Sequence, residues 1–321
     1  MKKLEAALAA ELPRINAALA AEAEELPAPV RAIARHILDA GGKRLRPFLT
    51  LLFARLFDAA GEERYRLAIT LELLHAATLL HDDVLDNALS RRGKPAAHTV
   101  FDVPAVILGG DALLSHANAI VASFGDTRMT RCFSEATSST AGGEILEIAA
   151  RGRTDISRQE YENMARGKTA WLIRAACEMG ALAAGTDEAG IRAATVYGEN
   201  LGMAFQLVDD ALDFAPEEIT GKPTGGDARE GKFTPPLRLY RQSLAEEERA
   251  AFDADFTRGL MTENEAAAVA RRIRQAGYDA QTRAEAQRYL HAALAALRDM
   301  PDTAELYLLR ELCVYVRERE K

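Results

Sequence analysis

Across 321 residues no stretch alternates apolar and polar side chains for long enough to build a sheet, and this absence constrains the fold more than any other feature of the chain. Alanine, leucine, glutamate and arginine dominate, and apolar positions recur at three- and four-residue intervals, the period of a helix with one buried face. Short Gly/Pro punctuation separates these runs at Gly41-Gly42, Gly61, Gly93, Gly152, Gly167, Gly185, Gly221 through Gly231, and Gly277. The pattern predicts about a dozen helices, the longest near 62–88, 102–125, 127–151, 187–214 and 278–299. The expected fold class is therefore all-α. No repeat of fixed period points to a solenoid, and no disorder-prone linker divides the chain, so one domain over residues 1–321 is expected. The Gly/Pro-rich stretch from Ala215 to Pro236 carries two lysines, and a loop of that length inside a compact fold is usually functional.

Composition narrows the function. Hydrophobic residues make up 48% and charged residues 27%, enough to bury a sizeable core, and the formal net charge of −8 speaks against a nucleic-acid partner. Cys132, Cys177 and Cys313 are far apart and show no metal-ligand spacing, so they read as reduced, buried thiols of a cytoplasmic protein. The opening MKKLEAALAAELPR lacks the apolar stretch of a signal peptide. Val103 to Phe124 is the most apolar region, but Asp111 and His116 interrupt it, which suits a buried helix better than a membrane span.

Two acidic clusters carry the chemistry. LLHDDVLDN puts Asp82, Asp83 and Asp86 within one narrow face of a helix, because at about 100° per residue Asp86 projects between the other two. FQLVDDALDF repeats the pattern with Asp209, Asp210 and Asp213, and Gln206 lies one turn earlier on the same face. Carboxylates so close repel one another. A hard divalent cation such as Mg²⁺ removes the conflict and completes its shell with water and phosphate oxygens. A solvated acidic face is the plain alternative for one cluster; two clusters, each flanked by apolar residues, read better as facing walls of a metal cage.

Metal held by aspartates implies a phosphorylated substrate and basic partners. GGKRLRP supplies Lys43, Arg44 and Arg46, SRRGKP supplies Arg91 and Arg92, GKTA supplies Lys168 and Thr169, and the long loop supplies Lys222 and Lys232. Arginine forks suit phosphate oxygens, and lysine acts as a point charge. His75 lies seven residues before Asp82 on the same helical face, placed for a substrate contact rather than for the core.

With these residues in hand, the chain resembles the trans-type polyprenyl diphosphate synthases. The resemblance runs from GGKRLRP through LLHDDVLDNALSRRGKP, GDALL, GGEILEI, GKTA and FQLVDDALD to GKPTGGDAREGKFTPPL. It implies an all-α bundle around a central cavity, paired as a homodimer, with at most peripheral membrane contact for product release. It also implies roughly three Mg²⁺ ions per site. Asp82, Asp86 and Asp209 would bind metal directly, with Asp83, Asp210 and Asp213 acting through water or from behind. Lys43, Arg46, His75 and Arg92 would bind isopentenyl diphosphate. Arg91, Lys168, Thr169, Gln206, Lys222 and Lys232 would surround the allylic diphosphate. Asp82, Asp86, Asp209, Arg91 and Lys168 would carry the ionisation itself.

The resemblance also suggests the product. Positions four and five before the first aspartate often set the tunnel floor in this family, and here they are Thr78 and Ala77, both small. Leu74 would line the same tunnel about two turns below Asp82. Phe124 is the only bulky aromatic between Val103 and Thr130, so it is the candidate floor. A long product, octaprenyl diphosphate, is expected, with geranylgeranyl diphosphate as the alternative. The rival classes are a terpene cyclase, which has no use for the second basic set, and a non-catalytic partner subunit of a two-component synthase, which typically loses the aspartates or arginines retained here.

Overall fold

The computed structural model describes residues 2–320 except Ala60, Lys222 and Leu260, and only the backbone of Thr220. The chain opens with α1 (Lys2–Glu24), α2 (Ala28–Leu38), α3 (Leu45–Leu56), α4 (Glu63–Ala68) and α5 (Thr70–Leu85). A two-residue antiparallel bridge (Ser90–Arg91 with Lys94–Pro95) and a 3-10 turn (Ala97–Thr99) lead into α6 (Val103–Ser123) and α7 (Thr127–Ala150). Next, α8 (Arg158–Ala165) passes through a π turn (Arg166–Ala170) into α9 (Trp171–Ala183), followed by α10 (Glu188–Leu212). The long loop holds the short α11 (Glu217–Thr220) and α12 (Gly226–Arg229). The chain closes with α13 (Pro235–Ser243), α14 (Glu246–Thr257), α15 (Glu263–Ala276), α16 (Tyr278–Ala296) and α17 (Ala304–Glu318). The all-α expectation holds: among the described residues the only β pairing is that two-residue bridge.

Local chemistry sets the boundaries. Reciprocal capping boxes start α8 (Ser157 with Glu160) and α15 (Thr262 with Glu265), and Gly277 at φ 73° ends α15. The helix expected over 62–88 is broken at Ile69, where the Thr70 hydroxyl donates to the Leu67 carbonyl at 2.7 Å and competes with the helix ladder. Gly167, expected as a break, instead lies inside the π turn. Its role is close approach, since a Cβ there would meet Gly143 Cα at 2.8 Å.

Packing groups the chain into two compact units. The first comprises Met1–Thr137, Leu172–Thr195 and Met300–Leu309. Within it α9 lies tight on α3: a Cβ on Gly180 would come 2.3 Å from the Thr50 carbonyl, and Thr50 Oγ1 donates to the Ala176 carbonyl at 2.9 Å. Helix α6 packs on α5 through Gly110, where a Cβ would strike His81 Nε2 at 2.4 Å. Only one face of α6 is buried, through Val106, Leu113, Ile120 and Val121, while Val103, Ile107 and Leu108 are 42%, 40% and 64% exposed. Among the described residues α6 is also the helix long and apolar enough to cross a membrane by length and composition.

The second unit comprises Ser138–Trp171, Val196–Asp299 and Arg310–Lys321. Its interior is built on Tyr197, Leu201, Phe214, Phe256, Ile273 and Val316, all essentially inaccessible. Gly202 lets α10 approach Ala170 of the π turn, where a Cβ would meet Ala170 Cα at 2.5 Å. These glycine contacts fix the turn that carries Lys168 and Thr169.

Candidate active site

In the first unit, α5 ends at Leu85 with Asp86 as its C-cap. Asp82 is half-buried and Asp86 exposed, but Asp83 is completely buried. The expected acidic face spans about 100°, and its Asp83 edge has turned into the core. Arg91 holds that carboxylate, with Nε 2.7 Å and Nη2 2.5 Å from Asp83 Oδ1. Arg91 reaches it from the small hairpin, whose turn has positive φ at both Arg92 (53°) and Gly93 (76°), the values a two-residue I′ turn demands.

The same turn aims Arg92 at the GGKR loop. Arg92 Nη1 donates to the Gly41 carbonyl, and a Cβ on Gly42 would come within 2.7 Å of that nitrogen. A side chain at position 42 would displace the guanidinium, and the backbone φ of 141° there favours glycine as well. Arg44, in the left-handed region at φ 49°, points inward to Glu72 (2.9 Å), the Leu38 carbonyl (2.6 Å) and Asn16 (3.1 Å). Lys43 is exposed, and Arg46 is half-buried with its Nε out of reach of water and of any hydrogen-bond acceptor among the described residues. Burial lowers the Arg46 pKa; Glu72 opposes this and Arg92 adds to it.

His75 sits in the middle of this set. Burial holds its pKa well below the ordinary value, and Arg46, Arg92, Arg91 and Arg44 press it further down, so it is neutral at pH 7. Of the four arginines, Arg44 and Arg91 are offset by Glu72 and Asp83, which leaves Arg46 and Arg92 available to an anion. Sequence reasoning grouped Lys43, Arg46, His75 and Arg92, and the structure brings Arg46, His75 and Arg92 together. On α5, Leu74 and Ala77 are buried, Thr78 is half-buried and donates to the His75 carbonyl at 2.9 Å, and Phe124 caps α6 half-buried.

In the second unit, the Asp209 side chain is half exposed and pairs with Arg319 at 2.9 Å; that guanidinium also lies 4.5 Å over the Phe205 ring. Asp210 is buried. It accepts hydrogen bonds from the Tyr161 hydroxyl and from Gln206 Nε2 (2.7 Å), and Gln206 Oε1 accepts from Thr169 at 2.6 Å. Burial raises the Asp210 pKa to about 7; the Tyr161 and Gln206 hydrogen bonds oppose the rise, and Asp209 and Glu147 add to it. Asp213 accepts from the backbone N–H groups of Gly226 (3.1 Å) and Asp227 (3.0 Å) and is raised by burial to about 6. Asp227 is half-buried, with an inaccessible Oδ2 that lacks a partner among the described residues, and its pKa is pushed up by desolvation and by Asp213.

Lys168 Nζ lies 2.8 Å from Glu144 and 2.7 Å from Glu147, and Lys232 Nζ lies 2.7 Å from Glu230 and 3.4 Å from Glu147. Lys222 falls outside the described residues. Tyr161, Arg319, Asp227 and the two glutamates are site residues beyond those expected from sequence. Glu144 and Glu147 stand in the quoted GGEILEI segment, so its spacing was the available signal; Arg319 left none.

The donor set fits Mg²⁺. In each cluster the solvent-accessible carboxylates, Asp82 and Asp86 in one unit and Asp209 in the other, are hard oxygen donors. Among the described residues no three His, Cys, Asp or Glu side chains close into a ready-made cage. Mg²⁺ characteristically binds one or two carboxylates and keeps its remaining positions for water and phosphate.

Comparison with known proteins follows the same lines. Residues 27–274 match the polyprenyl synthetase family. The chain is 37% identical over 294 residues to heptaprenyl diphosphate synthase component 2 of Geobacillus stearothermophilus, covering 91% of this chain and 90% of that one. It is 33% identical over 311 residues to octaprenyl diphosphate synthase of Escherichia coli strain K12, covering 94% of each. The crystal structure of a polyprenyl synthase from Caulobacter crescentus CB15, complexed with calcium and isoprenyl diphosphate, superposes with a TM-score of 0.92 at 35% identity, over 100% of this chain and 98% of that one. The chain belongs to the polyprenyl synthetase family and is a prenyltransferase of isoprenoid synthesis.

Proposed function

We propose that this prenyltransferase joins isopentenyl diphosphate to an allylic diphosphate with Mg²⁺, repeating the step to an all-trans long-chain product, octaprenyl diphosphate. The observation that carries the reading is the pair of under-compensated arginines, Arg46 and Arg92, beside a neutral His75 on the helix that bears Asp82 and Asp86. A diphosphate supplies the charge those guanidinium groups lack, and neutral His75 can donate one hydrogen bond to it without adding a proton.

On this reading Arg46, Arg92, Lys43 and His75 hold isopentenyl diphosphate, and Lys168, Lys232 and Lys222 hold the allylic diphosphate. Arg91 and Gln206 act through the carboxylates they hold, Asp83 and Asp210, and Thr169 acts through its hydrogen bond to Gln206. Asp82, Asp86 and Asp209 are the residues that would hold Mg²⁺, which when bound neutralises charge on the leaving group. The lysines stabilise the same charge as the allylic C–O bond breaks and diphosphate departs with the electron pair. The double bond of isopentenyl diphosphate attacks the allylic cation and forms the new C–C bond. A proton then leaves to the released diphosphate, so no protein base is needed. Apolar walls keep water from the cation.

Small Ala77 and Thr78 support a long product, although the relatives carry names of more than one length. The apolar face of α6 (Val103, Ile107, Leu108) supports pairing with a second copy, and light scattering of the purified protein reads this directly. The relative called component 2 raises the alternative of a chain that needs a partner subunit. One experiment decides among these: the purified protein alone, incubated with Mg²⁺, isopentenyl diphosphate and geranyl, farnesyl or geranylgeranyl diphosphate, with products resolved by chromatography. Octaprenyl product without a second protein is expected. A geranylgeranyl end product overturns the length, and inactivity with every primer overturns a self-sufficient synthase.

A further inference from the structure

Glu144 and Glu147 lie one helical turn apart on α7, and the functional reading above gives neither a task. Their position is set by the tight approach of Gly143 to Gly167: a Cβ on Gly143 would sit 2.4 Å from the backbone nitrogen of Lys168. At that distance the Lys168 side chain has to run across the acidic face of α7. Glu147 Oε1 then stands between two ammonium groups, 2.7 Å from Lys168 Nζ and 3.4 Å from Lys232 Nζ. Burial pushes the Glu147 pKa up, but the two lysines together outweigh it and hold the pKa below the usual carboxylate range, so the bridge is ionised at neutral pH.

A carboxylate is a poor choice for anion affinity alone, because its charge repels the ligand its neighbours attract. Its use here is geometric. Each ammonium has three donors, and two carboxylate contacts leave capacity for a phosphate oxygen. Two flexible lysine stems have many rotamers open to them, and a shared anchor removes that freedom before the ligand arrives.

We propose that Glu147 is a positioning residue that bridges Lys168 and Lys232 and fixes their ammonium groups at one spacing for the oxygens of a single diphosphate. The proposal rests on the assignment of those lysines to the allylic diphosphate. Glu147→Gln keeps the shape and removes the charge. In the folded variant, kcat falls about 10- to 100-fold, as expected when a reacting group is held out of register. The KM for the allylic primer stays level or drops. Inorganic diphosphate, titrated calorimetrically at fixed Mg²⁺, binds as tightly as to the wild type or more tightly. A purely structural role would lower Tm and leave kcat per folded molecule unchanged.

Wild-type kcat in Glu147→Gln overturns the proposal, as does a loss of diphosphate binding equal to that of Lys168→Ala. If Glu147→Gln does not fold, Glu147→Asp takes its place: charge kept and reach shortened, it is expected to lose kcat with diphosphate binding intact, and wild-type kcat overturns the proposal again. Lys168→Ala reports separately on the assignment beneath it. If that variant binds inorganic diphosphate as tightly as the wild type, the allylic site itself is misplaced.

Discussion

Arg91 Nε donates to Asp83 Oδ1 at 2.7 Å, and the carboxylate it holds is completely buried. Two adjacent aspartates on one helix therefore have different tasks. Asp83→Ala leaves Arg91 without its counter-ion and opens a hole under the hairpin. The expected loss is roughly 2–3 kcal/mol, below the figure for a fully buried pair because Arg91 keeps contact with water. Asp82→Ala removes a half-buried carboxylate from a repelling cluster and should leave stability unchanged or slightly raised. Urea unfolding of both variants checks this; equal losses would contradict the division.

His75 supplies a pH prediction. Its folded pKa is depressed by burial and by four arginines, so below the unfolded value near 6.5 the unfolded chain binds more protons. This stability is present above the unfolded pKa and is lost as pH falls toward the folded pKa. A diphosphate that neutralises Arg46 and Arg92 removes part of the repulsion, so binding should raise the His75 pKa. The imidazole Cε1–H resonance, followed by NMR from pH 7 downward with and without isopentenyl diphosphate, should titrate at higher pH in the complex. Titration near 6.5 in the free protein would contradict the arginine setting.

Helix periodicity was legible because it is a local property. Helix α6 (Val103–Ser123) and α7 (Thr127–Ala150) fall within two residues of the runs read at 102–125 and 127–151. The break at Ile69 was not legible, since it turns on one hydroxyl bond from Thr70. Nor was the difference between Asp82 and Asp83, which depends on where the first strand of the hairpin places Arg91. Gly167 reads as punctuation in sequence and acts as a contact surface in space, because Gly143 is distant along the chain. The cations were visible by type and spacing. Their carboxylate partners were not, because acidic residues on a helix resemble solvated surface until a neighbour is placed against them. Arg319 illustrates the limit: no motif surrounds it, yet it pairs with Asp209.

The two diphosphate assignments separate kinetically. Arg92→Ala should raise the KM for isopentenyl diphosphate about 10- to 100-fold, the cost of one charge-assisted contact, with a smaller effect on the allylic primer. Lys232→Ala should show the reverse. Initial rates with each substrate varied at saturation of the other supply the measurement, and equal changes for both substrates in both variants would count against the division.

Product length rests on Ala77, which is buried on α5 with 2% of its surface accessible. An aromatic ring there has to take the space into which the proposed chain grows. Ala77→Phe or Ala77→Tyr should shorten the main product to about C15–C20, with some loss of stability from overpacking. Chromatography of the products decides it: unchanged length in a folded variant would remove Ala77 from the tunnel.

The central claim of the proposed function is that Asp82 and Asp209, each an accessible carboxylate of its own acidic cluster, are both required for turnover with Mg²⁺. Its most direct test is turnover of Asp82→Ala and Asp209→Ala at saturating Mg²⁺, with circular dichroism confirming an intact helical fold. Asp209→Ala also gives up the half-exposed Arg319 pair, worth about 0–1 kcal/mol, which leaves the protein folded. Each variant is predicted to lose about 1,000-fold or more in kcat, as expected for removing a principal source of charge stabilisation. Turnover within about tenfold of the wild type in either variant would contradict the account, because a barrier change of about 1.4 kcal/mol or less is far short of what losing a metal ligand removes.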